Sequence, residues 1–335
     1  MHEHSAYISK ITDQKKDLLK SLEFINWRDH VKSSSTVFIK PNFTFPYYKE
    51  GITSRPDLLR DLLEIIKDRA QNVLLGESDG GNRSFTAEAA FKGHNMYEIC
   101  KETGVDLINL SKVASKPVED VIQGKKVKVL LPEFLLDEVD CFISVPVLKV
   151  HVMTGVTLGI KNLWGCYPDT MRCLHHKHLS QKLALIAKAL DPKLTIIDGM
   201  YGLDGHGPMF GKAKKTDLLL SSNNPVAADS LGAAIIGIPL KVADHILVAE
   251  KYGLGTTNLD KIKINDNWRT FKMQFEIQKT LIDNISSLLF NSDSLAKLVM
   301  DSPFSPPLYR IAKFLRTTEE AELKTQMTNH ESIVK

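Results

Sequence analysis

The sequence predicts an α/β fold with a mainly parallel sheet flanked by helices, and with a helical C-terminal extension. Short apolar runs rich in β-branched residues alternate with amphipathic segments of helical period, which is typical of strand–helix–strand units. Polar and glycine-rich stretches follow several of these runs, as loops do at the ends of parallel strands. After about residue 270 the strand signals stop and leucine-rich helical segments follow. We therefore expect an α/β domain over 1–270 and a helical extension with a flexible tail over 271–335.

The composition excludes several classes of protein. The chain has 335 residues, of which 43% are hydrophobic and 25% are charged, and these values are ordinary for a globular protein. A net charge of +3 is too small to indicate binding to nucleic acid. The N-terminal residues lack the apolar core of a secretory signal, and no apolar run is long enough to span a bilayer. We expect a cytoplasmic protein without a membrane span and without a nucleic-acid partner; its oligomeric state does not follow from the sequence.

Helix and strand signals alternate along the α/β part of the chain. We expect helices at 14–31, 56–66, 85–103, 179–190 and 226–236, and strands at 36–39, 73–75, 106–110, 194–197 and 218–221. Residues 112–132 alternate basic and apolar side chains, as an exposed hairpin or an edge arm would. Lys40 and Asn42 come directly after the strand at 36–39, and we expect both to contact the substrate.

A glycine-rich turn with two carboxylates follows the strand at 73–75. Such a turn can present backbone N–H groups to a phosphate, but Glu77 and Asp79 would repel an anion unless a metal intervened. The turn matches neither the Walker nor the dinucleotide-binding fingerprint. Two interpretations stay open here: a divalent cation held by oxygen ligands, or a tight turn followed by an N-capped helix.

The stretch from 141 to 173 holds the strongest functional signal. Its first residues, 141–147, form an apolar, β-branched run that predicts a buried parallel strand. Cationic, small and polar residues follow in a glycine-containing turn: Lys149, His151, Thr154, Thr157, Lys161 and Asn162. We expect Lys149 and Lys161 to hold a carboxylate or a phosphate, and His151 to act as a general acid or base. The alternative is a solvated lysine and a core histidine, but so many polar residues in one turn favour a site.

A second rich stretch follows the predicted strand at 194–197. Residues 198–211 contain five glycines together with Asp198, Asp204 and His206. This composition predicts a flexible ligand-binding loop, with a polar surface loop as the alternative. We expect Asp198 and Asp204 to join Glu77 in binding a divalent metal, or in positioning the substrate if no metal is bound.

The four cysteines form no C-x-x-C pair, and the dense cysteine run of a bacterial ferredoxin is missing. Cys100 and Cys141 lie in apolar periodic segments, so we expect buried thiols there. We expect Cys166 and Cys173 to be more accessible. Three histidines follow Cys173 closely: His175, His176 and His178. This group could ligate zinc or iron, or its histidines could simply open a helix, and both interpretations stay open.

Several motifs occur in one order over roughly residues 35–240. They are Lys40-Pro41-Asn42, Gly76-Glu77-Ser78, Pro146-x-Leu148-Lys149-x-His151, Thr154-Gly155-Val156-Thr157, Lys161-Asn162, Asp198-Gly199, Gly205-x-Gly207-Pro208 and Asn224-Pro225-Val226-Ala227 with Asp229. With these motifs the chain resembles the domain of unknown function 362 (DUF362) family, whose members are often labelled uncharacterised or iron–sulfur proteins. Many relatives also carry a two-cluster ferredoxin module, which this chain lacks. An iron–sulfur cluster therefore fits this sequence less well than it fits those relatives.

We expect a cytoplasmic enzyme of unknown reaction that acts on a small anionic metabolite by acid/base chemistry, with or without a divalent metal. The expected catalytic residues are His151, Lys149 and Lys161, the expected substrate-binding residues are Lys40, Asn42, Thr154, Thr157, Asn162 and His206, and the expected metal-binding residues are Glu77, Asp198 and Asp204. Seven of these follow predicted strand ends and should surround one cleft: Lys40, Glu77, Lys149, His151, Lys161, Asp198 and Asp204. Two other classes stay open. One is an iron–sulfur or zinc-binding redox or maturation protein that uses Cys166, Cys173 and the nearby histidines. The other is a non-catalytic ligand-binding or scaffold protein.

Overall fold

The computed structural model describes residues 4–302, and its centre is a twisted, mostly parallel sheet. Its strands are formed by the apolar and β-branched runs of the sequence. The strands are β1 Ser5–Lys10, β2 Thr36–Lys40, β3 Asn72–Glu77, β4 Asp106–Asn109, β5 Ser115–Ile122, β6 Lys125–Pro132, β7 Cys141–Ser144, β8 Val147–His151, β9 Gly155–Val156, β10 Leu194–Asp204, β11 Lys212–Ser222 and β12 Lys263–Ile264.

The main sheet runs in the order β12-β1-β11-β10-β7-β2-β3-β4, and β8 pairs with β10 beyond the end of β7. The pairs β7–β2, β2–β3, β3–β4, β10–β7 and β10–β8 are parallel. The strand β11 is antiparallel to both of its neighbours, β1 and β10. The predicted fold class is therefore confirmed.

Helices cover both faces of this sheet and continue beyond it. They are α1 Gln14–Phe24, α2 Pro56–Lys67, α3 Ala87–Gly93, α4 Met96–Thr103, α5 Glu133–Asp137, α6 Leu158–Asn162, α7 Leu179–Leu190, α8 Pro225–Ile235, α9 Asp244–Lys251, α10 Leu281–Phe290 and α11 Asp293–Met300. The start of α8 shows why the sequence folds this way. Asn224 accepts a hydrogen bond from the backbone N–H of Ala227 (3.0 Å), and Pro225 occupies the first helical turn, where it needs no donor.

Alternating residues of the sheet enter two separate hydrophobic clusters. Phe38 and Phe142 belong to the cluster that contains α7 and α8, whereas Val37 and Ile143 belong to the cluster that contains α1 and α2. Side chains of a strand point to opposite faces with period two, so the two clusters lie on the two faces of the sheet. The domain is thus a three-layer sandwich, and its parallel strands are buried on both sides.

Several predicted elements have different boundaries in the structure. The predicted helix at 14–31 ends at Phe24, and the one at 85–103 is divided at Asn95, whose φ of 58° lies in the left-handed region. The strand β1 was not predicted. The hairpin predicted at 112–132 is confirmed as β5 and β6, which pair through a tight turn.

The prediction of a loop at 198–211 is wrong for residues 198–204, whereas residues 205–211 do form a loop between two strands. The strand β10 continues through Asp198 to Asp204 and pairs with β11 almost throughout, with one irregularity between Gly199 and Tyr201. A Cβ atom at Gly202 would lie 2.7 Å from the ring of Phe275, so this glycine permits close packing instead of flexibility. Only the turn after Asp204 joins the two strands.

The C-terminal extension forms two short helices, α10 and α11, as predicted for its leucine-rich part. The predicted flexible tail, from Thr317 onward, lies outside the described residues, and the domain boundary at 270 stays a prediction. No helix within residues 4–302 is long and apolar enough to cross a bilayer.

Candidate functional site

Lys40 and Glu77 end two neighbouring parallel strands, β2 and β3, and their side chains meet at the strand ends. The Lys40 ammonium lies 2.6 Å from the Glu77 carboxylate, and the two side chains are only 1% and 6% exposed. Lys40 also donates to the carbonyl of Pro41 (2.9 Å), while Glu77 accepts the backbone N–H of Phe43 (3.2 Å). The pair is thus a hydrogen-bonded internal ion pair, and Glu77 has a cation partner without any metal.

Lys149 is fully buried on β8 and is surrounded by oxygen acceptors. Its Nζ lies 2.6 Å from Asn42 Oδ1, 3.1 Å from Thr44 Oγ1 and 2.6 Å from the carbonyl of Ile52. Three acceptors match the three N–H groups of an ammonium. Burial first, and then the charge of Lys161, lowers the pKa of Lys149 well below its ordinary value. The structure therefore ties this lysine to the segment 42–52, instead of leaving an N–H group for a ligand as predicted.

Asn42 and Asn162 connect this lysine to the Lys40–Glu77 pair. Asn42 Nδ2 donates to Asn162 Oδ1 (2.9 Å), and Asn162 Nδ2 donates to the carbonyl of Lys40 (3.3 Å) and to Ser144 Oγ (3.1 Å). All of these groups are buried. Four of the predicted site residues, Lys40, Asn42, Lys149 and Asn162, thus meet in one polar network, as the convergence of parallel strand ends predicts.

His151 follows at the end of β8 and is 8% exposed. Its Nδ1 accepts the backbone N–H of Met153 (3.1 Å), so the lone pair lies on Nδ1. Burial first, and then the charges of Lys161 and Lys149, lowers the pKa of His151 well below 6.5. The ring is therefore neutral near pH 7, and the hydrogen bond to Nδ1 assigns its proton to Nε2. That Nε2–H has no partner among the described residues.

Lys161 lies in α6, is partly accessible, and has no hydrogen-bond or ion-pair partner within residues 4–302. Burial is the main reason that the pKa of Lys161 falls to about 7, and the positive charges of Arg172 and Lys40 add to this effect. A lysine with such a pKa exists near neutral pH as both amine and ammonium. It can hold an anion, or it can accept a proton.

Two histidines that were not predicted as site residues belong to the same region, His176 and His245. Burial first, and then the charge of Lys161, lowers the pKa of each to about 3. His245 is fully buried on α9, and neither of its ring nitrogens has a hydrogen-bond partner among residues 4–302. In the same part of the chain, Nδ1 of His176 is also without one. We call Lys161, His151, His176 and His245 the basic cluster.

Other buried polar atoms without partners are close to the basic cluster in sequence. They are Thr157 Oγ1 and Trp164 Nε1, which flank Lys161. Buried polar groups in native proteins nearly always have a hydrogen-bond partner, so a concentration of unpartnered groups indicates that something polar belongs there. Among the sequence signals, only the histidines after Cys173 pointed to His176. The single histidine of the apolar helix α9 resembled an ordinary core residue.

Two further predicted substrate-binding residues, Thr154 and His206, have internal partners, in contrast to Thr157. Thr154 Oγ1 donates to the carbonyl of Val156 (3.0 Å). His206 Nε2 lies 2.9 Å from the carboxylate of Asp283, at the start of α10. The turn that carries His206 packs against β8, because the backbone N–H of Val152 donates to the carbonyl of Gly207 (3.1 Å). His206 is thus near His151 in the fold, with an α10 carboxylate as its partner.

The three carboxylates predicted to bind a metal are not brought together. Asp198 accepts from the backbone N–H of Arg55 (2.9 Å) and from Arg55 Nε (3.0 Å). Asp204 lies 2.5 Å from the ammonium of Lys214 and accepts two backbone N–H groups. Within the part of the chain that the structure describes, no three His, Cys, Asp or Glu side chains form a group that could hold a metal ion. The predicted set of Glu77, Asp198 and Asp204 is therefore divided among separate ion pairs.

The prediction that Cys166 and Cys173 are accessible is wrong. Cys166 is 0% exposed and Cys173 is 6% exposed, and the predicted burial of Cys100 and Cys141 is confirmed. Burial raises the pKa of the Cys166 thiol to about 12 and that of Cys173 to about 11. Thiols with such pKa values are protonated near neutrality, and metal ligation uses the thiolate.

A model of the family described as a domain of unknown function (DUF362) matches residues 37–234. The chain belongs to the DUF362 family. The DUF362 match begins in β2 and ends within α8, so it includes the Lys40–Glu77 pair together with His151 and Lys161. His245 and the helices α10 and α11 lie beyond it.

A curated relative of this DUF362 protein is the thylakoid-associated protein sll1697 of Synechocystis sp.. The two are 29% identical over 256 residues, which cover 71% of this chain and 77% of the relative. No solved structure matches the chain. The chemistry of this DUF362 protein must therefore be argued from its own residues.

Proposed function

We propose that this DUF362 protein is a cytoplasmic enzyme that acts on a small anionic metabolite, a carboxylate or a phosphate, at the basic cluster. One observation carries the proposal: Lys161 has no partner within residues 4–302 and neighbours three imidazoles of lowered pKa. The protonated form of Lys161 is a cation without a counter-ion, and a bound anion would supply one. A bound anion would also give hydrogen-bond acceptors to the unpartnered N–H groups.

In this proposal Lys161 both holds the anion and responds to it. The pKa of Lys161 is about 7 without a ligand, and a negative charge beside the amine favours the ammonium form. Binding near pH 8 would therefore take up a proton. If the ligand instead presents an acidic C–H or O–H group, the neutral amine is the base in the cluster with the best-matched pKa.

His151 would act as a hydrogen-bond donor. Its neutral ring carries the proton on Nε2, so Nε2–H would donate to a substrate oxygen and stabilise negative charge that develops there. This role is narrower than the general acid or base expected from the sequence, because the lone pair on Nδ1 is occupied by the backbone of Met153. Of the two lysines that the sequence suggested would hold the anion, only Lys161 keeps that role here, since the hydrogens of Lys149 have protein acceptors.

A ligand screen by thermal unfolding tests the binding part of the proposal. Wild type, Lys161→Met and the control Lys16→Met would be heated with inorganic phosphate, nucleotides and short-chain carboxylates at millimolar concentration. Lys16 is 76% exposed on α1, so the Lys16→Met variant shows the effect of a lower net charge without a change at the basic cluster. We expect at least one anion to raise the Tm of wild type and of Lys16→Met. Its affinity for Lys161→Met should fall about tenfold or more, the loss of a charge-assisted hydrogen bond.

Turnover tests the catalytic part. Each stabilising anion would be incubated with wild type and with His151→Phe, and its conversion followed by proton NMR spectroscopy. Conversion by wild type that His151→Phe lacks would support an enzyme. A ligand that binds but never changes would make the protein a non-catalytic binding protein, and no stabilisation by any anion would contradict the proposal as a whole.

A further inference from the structure

The carboxylate of Asp229 lies in the interior of the protein and holds the beginning of α6. Asp229 belongs to α8 and is 0% exposed. Its Oδ1 accepts the backbone N–H of Gly159 (2.6 Å), and its Oδ2 accepts the backbone N–H of Ile160 (2.9 Å). The next residue along the chain is Lys161, the lysine of the basic cluster.

The helix α6 does not cap its own N-terminus. Thr157 occupies the N-cap position, but its backbone is helical instead of extended, and its side chain makes no hydrogen bond to the helix. The first N–H groups of a helix have no partner within it, and a helix of five residues is not stable by itself. Asp229 therefore supplies from another helix the acceptors that α6 needs in order to form at this place.

A carboxylate is a costly residue for this purpose. Asp229 has no cation partner within residues 4–302, and burial raises the pKa of Asp229 to about 7 although both backbone hydrogen bonds lower it. Asn224 caps the start of α8 with a neutral amide, so capping a helix in this protein does not require a charge. What the carboxylate adds is a second acceptor. Its two oxygens bind two successive N–H groups, and this fixes the rotation of α6 as well as its position.

The other end of α6 is also attached to the protein. Asn162, the last residue of α6, donates to the carbonyl of Lys40 (3.3 Å) and accepts a hydrogen bond from Asn42 (2.9 Å). Lys161 lies between the two attachments and has no partner of its own among the residues that the structure describes. Because a lysine side chain is long and flexible, only the backbone of α6 keeps this amine in the basic cluster.

We propose that Asp229 is a positioning residue for Lys161: it binds two N–H groups in the first turn of α6 and thereby keeps the Lys161 amine among the imidazoles of the basic cluster. Asp229 acts through the backbone and does not contact the anion. The inference rests on the proposed function, in which Lys161 holds the anion, and it adds the residue that keeps Lys161 in place. Without Asp229 the amine should gain contact with water, and hydration raises the pKa of a buried lysine.

The pKa of Lys161 in the ligand-free, full-length protein tests the proposal. Wild type and Asp229→Asn would be labelled with a trace of acetic anhydride from about pH 5 to about pH 11, since only the neutral amine reacts. Peptide mass spectrometry measures the acetylation of Lys161 against that of Lys126, which is 78% exposed on β6. Asparagine preserves the shape of the side chain but replaces one of the two acceptor oxygens by an NH₂ group.

Asp17→Asn is the matched control. Asp17 is also a buried carboxylate, 5% exposed, and it accepts the backbone N–H groups of Thr12 (2.7 Å) and Asp13 (2.9 Å) at the start of α1. The helix α1 packs on the face of the sheet opposite to α8. The control therefore removes a comparable buried cap without changing the surroundings of α6.

We expect the pKa of Lys161 to rise from about 7 by about one or more in Asp229→Asn, and to be unchanged in Asp17→Asn. The direction is informative, because the loss of a negative charge without any movement of α6 would instead lower the pKa of Lys161. Gly159→Ala is a second variant that leaves the carboxylate intact. Its Cβ atom would lie 2.8 Å from Asp229 Oδ1 and would push α6 away, so the pKa of Lys161 should rise here too. This variant decides the outcome if Asp229→Asn does not fold.

Three results would overturn the proposal. The pKa of Lys161 could be unchanged or lower in the variants of Asp229 and Gly159. It could rise equally in Asp17→Asn, which would mean that any loss of stability loosens α6. The third is a pKa near 10.5 in wild type, which would contradict the proposed function and this inference together. A wild-type pKa near 7 that none of the variants changes would contradict this inference alone.

Discussion

The ammonium of Lys40 and the carboxylate of Glu77 lie 2.6 Å apart inside the protein, where neither side chain is more than 6% exposed. A third residue completes this arrangement. A Cβ atom at Gly165 would lie 2.7 Å from both charged groups, so a glycine is needed for the chain to pass over the pair. These three residues connect β2 and β3 to the segment that follows α6. The helix α6 itself carries Lys161. Polar residues of the family motif thus act here as the frame of the candidate site.

We expect Glu77→Gln to destabilise the protein by about 3–5 kcal/mol, because it leaves the Lys40 charge buried without a counter-ion. Urea unfolding of wild type and the variant measures the change. Glu64→Gln is the matched control, since Glu64 pairs with Lys15 at the surface, where the side chains are 38% and 54% exposed. The control should lose less than about 1 kcal/mol. Equal losses in the two variants would contradict an internal role for the Lys40–Glu77 pair.

Lys149→Met should act on stability more than on ligand binding. The substitution leaves the buried Oδ1 of Asn42 without its donor, and a buried unsatisfied group costs about 1–3 kcal/mol. It also removes one of two donors to the carbonyl of Ile52, to which Thr44 Oγ1 still donates (3.2 Å). Thermal unfolding without ligand should therefore show a clear loss for Lys149→Met. A variant that folds as stably as wild type but loses anion binding would restore the ligand-binding role that the sequence suggests for this lysine.

Most of the fold could be predicted because the period of apolar residues is a strong local signal. The helix α7 was predicted with its observed bounds, and the strands that carry Lys40 and Glu77 were placed within two residues. The loop prediction fails for residues 198–204 because of contacts between parts of the chain that are distant in sequence. The glycines there indicate flexibility in the sequence, but Gly202 is required by the ring of Phe275, which lies over 70 residues away along the chain.

The location of the candidate site could be predicted from the sequence, but the roles of its individual residues could not be assigned. Lys149 and Lys161 are the same residue type in one motif, and only the acceptors around Lys149 distinguish a structural lysine from an unpaired one. His245 was missed because its position depends on how α9 packs against α6. A lone histidine in an apolar helix carries no local sign of this packing.

The thiols should be unreactive in the folded protein. Burial raises the pKa of Cys100, Cys141 and Cys166 to about 12, and no thiol of the four is exposed. With a disulfide reagent at pH 8 we expect slow labelling without denaturant and four equivalents in urea. Rapid modification of Cys173 in the native protein would show that the 3-10 helix around it opens readily.

Asp283→Asn should loosen α10 from the domain. Burial raises the pKa of Asp283, but hydrogen bonds from His206 and Thr280 outweigh burial, so the pKa lies below its ordinary value and the carboxylate is charged near neutrality. Loss of this partly buried pair should increase amide hydrogen exchange in α10 about fivefold, corresponding to about 1 kcal/mol. Asp293→Asn is the control, because Asp293 pairs with Lys177 at the surface of α11. Similar exchange in both variants would mean that α10 is held by its apolar contacts.

Lys161 should make the stability of the ligand-free protein depend on pH in a specific direction. Its pKa is about 7 in the folded protein, against an ordinary value of 10.5 for a lysine. Between these values the unfolded chain binds the proton more strongly, so stability rises with pH from about 7 to about 10.5. The unfavourable effect of the buried charge is fully present below pH 7 and vanishes above pH 10.5.

Replacing this lysine tests the same dependence of stability on pH, because the substitution removes the group that titrates. Lys161→Met should be more stable than wild type at pH 6, and this advantage should shrink as the pH rises toward 10, while other titrations cancel in the difference between the two proteins. Urea unfolding at several pH values measures that difference, with Lys16→Met as a control whose difference from wild type should vary little. A difference for Lys161→Met that is constant from pH 6 to 10 would mean that Lys161 is an ordinary solvated lysine. In that case Lys161 would have no buried charge for an anion to neutralise, and the proposed anion site at the basic cluster would be contradicted.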